Sequence, residues 1–354
     1  MATVYLLRHK SREAVKLTLS GKLLVTGEGD RRVEQSFPSA AAAVEHLERV
    51  LGLRRREGYV AETTEVAEEL VAEAPDPLDG VVKHDAASGR ATVTFAGTKV
   101  PRGLCASIAA RLAEVAPPCV QVICDHASPG KDFAAALART PLPSIVGFVF
   151  DTHFQTLTRQ RDNALGDLGV VLGALPAVER VFVSGKLALS ASTHARLREL
   201  YLLGDPLGRD AIESLGRASF PALETLALAL CSDGGPGPDS AAAAALRALA
   251  APRLARVHVD AIDDVTAFLR ALAREPLPPS WTSLSLGGTV RDEDDLLAAL
   301  KDLAGVLCPL AVLGLPLSDN VSASAIAEAS ALLPGLVDEG ELPEVLLPST
   351  YDEW

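Results

Sequence analysis

One arrangement of apolar positions recurs along this chain: an apolar residue, two others, an apolar residue, one other, an apolar residue. It reads as Cys119-Val122-Cys124, Ile145-Phe148-Phe150, Val178-Val181-Val183, Leu197-Leu200-Leu202 and Leu223-Leu226-Leu228. It continues as Leu254-Val257-Val259, Trp281-Leu284-Leu286, Leu310-Leu313-Leu315 and Leu342-Val345-Leu347. Successive starts lie 26, 33, 19, 26, 31, 27, 29 and 32 residues apart. The closing alternation predicts a short strand with one face buried. A proline stands two positions upstream at Pro117, Pro143, Pro176, Pro221, Pro252 and Pro279, where it stops a helix and sends the chain into the strand. Between the motifs, Asn163–Leu175, Ser240–Ala250, Asp264–Ala273 and Glu293–Leu303 are rich in Ala and Leu and read as helices. A single strand–helix unit cannot bury its own apolar face, so the units must stack. The expectation is nine parallel strands from about Cys119 to Leu347, with helices on one side. The interval from Val178 to Leu197 is too short for a full helix, so that repeat should be flattened.

Upstream, Val81–Asp85 and Ala91–Ala96 read as a hairpin across Ala86–Gly89, and Gly103–Val115 as a helix. Together they would cap the open end of the stack. At the N-terminus, Val4–Arg8 reads as a strand. Val15, Leu17 and Leu19 alternate with polar residues, Ser20-Gly21 turns, and Lys22–Thr26 returns. Arg31–Phe37 gives another strand. Pro38-Ser39 opens a helix to about Arg56, with Ala43, Leu47, Val50 and Leu51 on one face. Gly58-Tyr59-Val60 closes this unit. Ala61–Ala72 reads as a short acidic helix, broken at Pro75-Asp76-Pro77. The expected division is a small domain over 1–60, a linker over 61–77, a cap over 78–116 and repeats over 117–354.

These motifs carry two resemblances. The repeated triplet resembles the leucine-rich-repeat family, in its long, helix-containing ribonuclease-inhibitor type, over residues 117–347. The Asn or Cys usual after the strand is present only as Cys231. The Leu17–Thr26 hairpin, Ser36-Phe37-Pro38-Ser39 and Arg56-Glu57-Gly58-Tyr59-Val60 resemble the WGR domain. The naming Trp-Gly-Arg triplet is absent, and Val25-Thr26-Gly27-Glu28-Gly29-Asp30 stands in its place. The resemblances imply an α/β fold: a leucine-rich-repeat solenoid, or horseshoe, preceded by a small α+β WGR-like domain.

Charge separates the two parts. Residues 1–60 hold eleven Lys/Arg against seven Asp/Glu, a balance of +4, whereas the rest holds 22 against 39, a balance of −17. An acidic surface repels phosphate backbones, so nucleic-acid binding by the repeats is not expected. The five cysteines form no CxxC pair, and no zinc-ligand spacing of His accompanies them. Their odd number, the charges in the first 25 residues and the absence of a long apolar run lead to the expectation of a cytoplasmic protein without a signal peptide, membrane segment, metal or cofactor.

No catalytic signature emerges. Ser184-Gly185-Lys186 lacks the Gly and the Ser or Thr that a phosphate loop needs around it. Asp125-His126 and Asp151-Thr152-His153 are read as polar strand ends, Arg54-Arg55-Arg56 as a solvated helix C-terminus favoured by the dipole. Cys119, Cys124 and Cys231 are read as small buried hydrophobes. Residues between the triplet positions point away from the helices, in a middle column of Ile123, Val149, Phe182, Tyr201, Ala227, His258, Ser285 and Gly314. An exposed Phe and Tyr beside Arg are the residue types that anchor interfaces. The expected partner-binding residues are Arg180, Phe182, Glu199 and Tyr201, then Arg256, His258 and Asp260. The expected function is non-catalytic binding of another protein, as scaffold, regulator or inhibitor. The second reading is a nucleic-acid-associated factor acting through the basic N-terminal domain.

Overall fold

A computed structural model describes residues 2–8, 14–28, 31–37, 39–56, 59–66, 78, 80–95, 100–101, 103–124, 129–152, 164–230, 238–317 and 321–338. The chain divides into two compact units, Met1–Pro77 and Leu78–Trp354. The first contains strands β1 (Ala2–Arg8), β2 (Val15–Ser20), β3 (Leu23–Glu28) and β4 (Arg31–Ser36), helix α1 (Ala40–Arg56) and strand β5 (Val60–Val66). They form a five-stranded sheet in the order β4-β3-β2-β1-β5, antiparallel at every pairing. Leu7, Val15, Leu17 and Leu24 from the sheet pack against Leu47 and Leu51 from the helix, with Tyr59 closing the cluster. The acidic segment 61–66, expected to be helical and part of a linker, is instead the strand β5, in register with the whole of β1. Its β-branched Val60, Thr63, Thr64 and Val66 suit a strand, and β1 offers it an open edge.

The second unit opens with β6 (Val82–Asp85), β7 (Arg90–Phe95), α2 (Leu104–Val115), β8 (Cys119–Cys124), α3 (Gly130–Arg139) and β9 (Gly147–Thr152). It continues with β10 (Ala164–Asp167), α4 (Leu168–Ala174), β11 (Arg180–Ser184), β12 (Lys186–Ala188), β13 (Glu199–Leu207) and α5 (Arg209–Gly216). Then come β14 (Thr225–Leu230), α6 (Pro238–Ala248), β15 (Arg256–Ile262), α7 (Val265–Leu272), β16 (Ser283–Gly288), α8 (Glu293–Leu307), β17 (Val312–Leu315), α9 (Ala323–Leu332) and β18 (Leu336–Asp338). Eleven of these strands make one sheet in sequence order, apart from β10 and β12, which pair with each other. Only β6 runs antiparallel, against β7; each later neighbour is parallel.

The register repeats from strand to strand. Val181, Leu200, Leu226, Val257, Leu284, Leu313 and Leu336 are successive partners in one inward row. They share a core with Ile108, Phe133, Leu172, Ile212, Leu246, Phe268 and Leu300 of the helices. All the described helices of this unit therefore lie on one face of the sheet. Two backbone features recur with the row. Gly147 and Val146 both donate to the carbonyl of Pro118, Arg180 and Glu179 to Val146, and Glu199 and Arg198 to Glu179. The pairs Glu224/Thr225, Ala255/Arg256, Thr282/Ser283 and Ala311/Val312 do the same at the next four strands. Before five of the strands, a turn closes from the NH of Ile145, Val178, Leu223, Leu254 or Trp281 to the carbonyl three residues back. Pro143, Pro176, Pro221, Pro252 and Pro279 occupy the second position of these turns, which the proline ring favours. The upstream proline thus builds the turn as well as ending what precedes it.

Three expectations are corrected. The first repeat is displaced by two: Val120 and Val122, not Val122 and Cys124, partner Phe148 and Phe150. Asn163–Leu175 is not one helix, because Asp167 caps α4 by accepting from the Gly169 NH, and β10 precedes it. The ninth parallel strand counted from Cys119 is Leu336–Asp338, while Leu342–Leu347 lies outside the described residues. Counting β7, ten described strands run in parallel.

The short interval between β11 and β13 contains no helix, as expected. His194 fills the place: its Nε2 lies 3.0 Å from the Leu175 carbonyl, and its Nδ1 accepts from the Leu197 NH at 3.0 Å. His194→Ala should orphan the Leu197 NH, at roughly 1–3 kcal/mol, while the Leu175 carbonyl keeps the Val178 NH, and denaturant unfolding would measure the loss. Leu226 is fully buried in the inward row. Leu226→Ala should cost about 2–5 kcal/mol by the same measurement; a loss under about 1 kcal/mol would contradict the register.

Candidate functional site

The face of the large sheet opposite the helices is built by strand alternation alone. One row runs Arg90, Cys119, Gly147, Arg180, Glu199, Thr225, Arg256, Ser283. The next runs Thr92, Gln121, Val149, Phe182, Tyr201, Ala227, His258, Ser285, Gly314, Val337. Gln121 therefore takes the place expected for Ile123, which partners Asp151. The proposed residues Arg180, Phe182, Glu199 and Tyr201 do come together on two neighbouring strands, and Arg256 and His258 follow two strands on.

Exposure departs from the expectation. Phe182 and Tyr201 are 8% and 4% exposed, and they form a closed apolar cluster with Val149 and Ala227, against which Leu203 packs. The two rings sit 6.3 Å apart, tilted by 32°. They are not an open aromatic platform, since both rings are buried, which sequence alternation alone does not reveal. The Tyr201 hydroxyl donates to Glu199 Oε2 at 3.4 Å. Burial and then the Glu199 charge push its phenol well above the usual range, opposed by Arg256 and Arg180. Arg256 Nε donates to Thr225 Oγ1 at 2.9 Å. Polar groups thus ring an apolar centre.

His258 is buried, with Nδ1 3.0 Å from Ser285 Oγ. Ser285 is fully buried, so this His–Ser pair has no access for a substrate carbonyl. Asp260 is exposed at a bulge between β15 and β16, where Ala261 adopts φ 58° and its NH donates to Asp260 Oδ1 at 2.6 Å. The bulge turns the carboxylate to solvent. Gly288 passes it at φ 144°, where any side chain would collide with the Ile262 backbone.

The other sequence candidates resolve plainly. Ser184-Gly185-Lys186 carries the chain from β11 into β12 rather than into a helix. Arg54 lies over the Tyr59 ring at 5.4 Å. Cys124 is buried in the core, and Cys119 stands beside Arg90 on the helix-free face, its thiol raised by burial. Burial likewise raises Cys105 to about 11. Asp151 is buried; His126, His153 and Cys231 lie outside the described residues. No group of three metal-binding side chains occurs among the described residues, and no helix there is long and apolar enough to cross a membrane. Sequence reasoning missed a polar cleft of about 430 Å³ lined by Lys83, His84, Asp85, Ser88, Arg90, Thr92 and Gln121. Its signal was the alternation within the β6–β7 hairpin, which was read only as a cap.

The fold defined here is α/β, with one large, mostly parallel sheet covered by helices on one face. No family model and no curated protein matches the sequence. Among solved structures, a Bacteroides fragilis protein determined as a Northeast Structural Genomics Consortium target resembles the chain, with a TM-score of 0.55 and 16% identity over 97% of each chain. That likeness concerns the fold alone.

Two outcomes follow from this geometry. Phe182→Ala should lower stability by about 3–5 kcal/mol, as for other buried phenylalanines, measured by denaturant unfolding. Burial depresses the His258 pKa below its usual 6.5, with the Asp260 charge opposing. The stability this provides is complete above about pH 6.5 and is lost as the pH falls from there through the folded value. The melting temperature should therefore drop between about pH 7.5 and pH 5.5, and less steeply in His258→Gln; equal slopes would contradict the burial.

Proposed function

We propose that the chain is a non-catalytic protein-interaction module, acting as scaffold, regulator or inhibitor. In this reading the second unit is a leucine-rich-repeat solenoid of the ribonuclease-inhibitor type, and the first is a WGR-like domain. The observation that carries it is the one-sided sheet: strands in sequence order, a constant register, and no described helix on the opposite face. Helices are about 10 Å wide and strands about 4.8 Å apart, so such an array curves with its strands on the concave side. A broad face of that kind suits a protein surface better than a small substrate.

Burial of Phe182, Tyr201 and His258 assigns them the support of that face. Contact with a partner falls to the more accessible Arg180, Glu199, Arg256 and Asp260. Arg and Glu around an apolar centre fit the anatomy of interfaces, where charged groups choose the partner and its orientation. The acidic balance of the repeats argues against nucleic acid there, and the stacking of Arg54 on Tyr59 occupies part of the N-terminal basic cluster.

Affinity purification from the native lysate tests the reading, with the folded double variant Arg180→Glu, Arg256→Glu in parallel. A specifically captured protein should bind that variant at least about tenfold less, since a true hot spot contributes about 2 kcal/mol or more. Equal capture would remove the interface from this face. A mobility shift with duplex DNA at moderate salt, abolished by changes in the first unit, would favour the nucleic-acid reading instead.

A further inference from the structure

The cleft beside the terminal strand β6 differs in charge from its surroundings. The second unit and the segment before it hold 22 Lys/Arg against 39 Asp/Glu. The cleft nevertheless gathers Lys83 and Arg90 with the uncharged donors Ser88, Thr92 and Gln121. Register explains the gathering. Lys83 partners Thr92, Thr92 partners Gln121, and Arg90 partners Asp85 and Cys119, so all project from the helix-free face.

The one carboxylate in the cleft, Asp85, is exposed but bonded to its own hairpin turn. Asp85 Oδ1 accepts from the Ala87 NH at 2.9 Å, and Oδ2 accepts from the Ser88 hydroxyl at 2.8 Å. These two bonds tie it to its own hairpin turn and hold it below the usual carboxylate range. The lysine and arginine thus outnumber the acid two to one, and each of its oxygens already accepts one bond from the turn. Along the same row, Gly147 brings no side chain between Cys119 and Arg180, so the cationic track continues from Arg90 toward Arg180.

We propose that this cleft binds an acidic peptide segment of a partner protein, with carboxylates seated on Lys83 and Arg90. The inference rests on the interaction-module reading and deepens it. The volume, about 430 Å³, is at the small end for ligand sites, enough for two or three side chains. Its polar lining selects by charge and hydrogen bonds rather than by apolar fit. A guanidinium takes a carboxylate by two parallel bonds, and the neighbouring Gln and Thr supply further polar partners. A long polyanion such as nucleic acid would extend beyond the cleft onto acidic surface, whereas a short acidic segment would not.

The probe is a fluorescein-labelled hexaglutamate peptide, titrated with the full chain and followed by anisotropy at about 50 mM and about 200 mM salt. Saturable binding is expected, weaker at the higher salt, and at least about tenfold weaker in Lys83→Glu or Arg90→Glu. Lys83→Gln and Arg90→Gln give the same direction where a glutamate variant fails to fold. Absence of saturable binding, or unchanged affinity in the folded variants, overturns the proposal. So does equal binding of hexalysine. Displacement of the peptide by inorganic phosphate at matched anion concentration also overturns it, because the cleft is then a bare anion site. Partner capture that depends on Arg180 and Arg256, with no hexaglutamate binding, sinks this inference alone and leaves the interface standing.

Discussion

The structure depends on a single backbone step, repeated. At the entry to successive strands, two consecutive NH groups donate to one carbonyl of the strand before. This sets each strand one spacing along, in the same register, with its inward pair beside the previous inward pair. Everything else is subordinate to that step. Helices differ in length from α4 with seven residues to α8 with fifteen, and one repeat has none, yet the inward row continues through all of them. Among the described strands of the large sheet, each therefore pairs only with those beside it in this order. The antiparallel strand β6 forms one end of the row of described strands.

The step also dictates the opposite face. A strand that buries alternate residues against helices must present the others in rows of its own. Here the middle row changes character along the sheet, from Gln121 through Val149, Phe182 and Tyr201 to Ala227, His258, Ser285 and Gly314. The apolar middle closes over itself and forms a second, smaller core. The polar groups within it are satisfied locally, Tyr201 by Glu199 and His258 by Ser285, which is the condition for burying them cheaply. Ion pairs between neighbouring helices, such as Arg270 with Asp295 and Lys301 with Glu328, lie at the solvent and add little by comparison.

The repeats were readable in the sequence because two independent signals coincide, the apolar triplet and the turn proline. Where one signal is ambiguous, the reading slips. Pro117, Val120 and Val122 fit the triplet as well as Cys119, Val122 and Cys124 do. Both alternatives place alternate residues on the same faces, so only pairing with Phe148 and Phe150 decides between them. Near the end, Pro334 leads into β18 sooner than the preceding spacings suggest. In segment 61–66 the acidic composition suggested a helix, yet the open edge of β1 offers more than local propensity can oppose. The capping role of Asp167 was visible as an Asp before an apolar run, but a helix reading from Asn163 absorbed it.

The candidate surface was readable in membership and not in exposure. Alternation assigns Arg180, Phe182, Glu199 and Tyr201 to one face whatever surrounds them, whereas solvent access depends on the side chains of strands up to thirty residues away. Side-by-side packing with Val149 and Ala227 accounts for part of the burial of the two rings. Short neighbours such as Ala227 and Ser285 are buried with the rings, whereas Arg180, Glu199 and Arg256 keep partial exposure and Asp260 is exposed. An interface on this face would then divide its labour: the buried apolar cluster would support it, and Arg180, Glu199 and Arg256 would meet the partner, Glu199 and Arg256 already oriented by bonds to Tyr201 and Thr225.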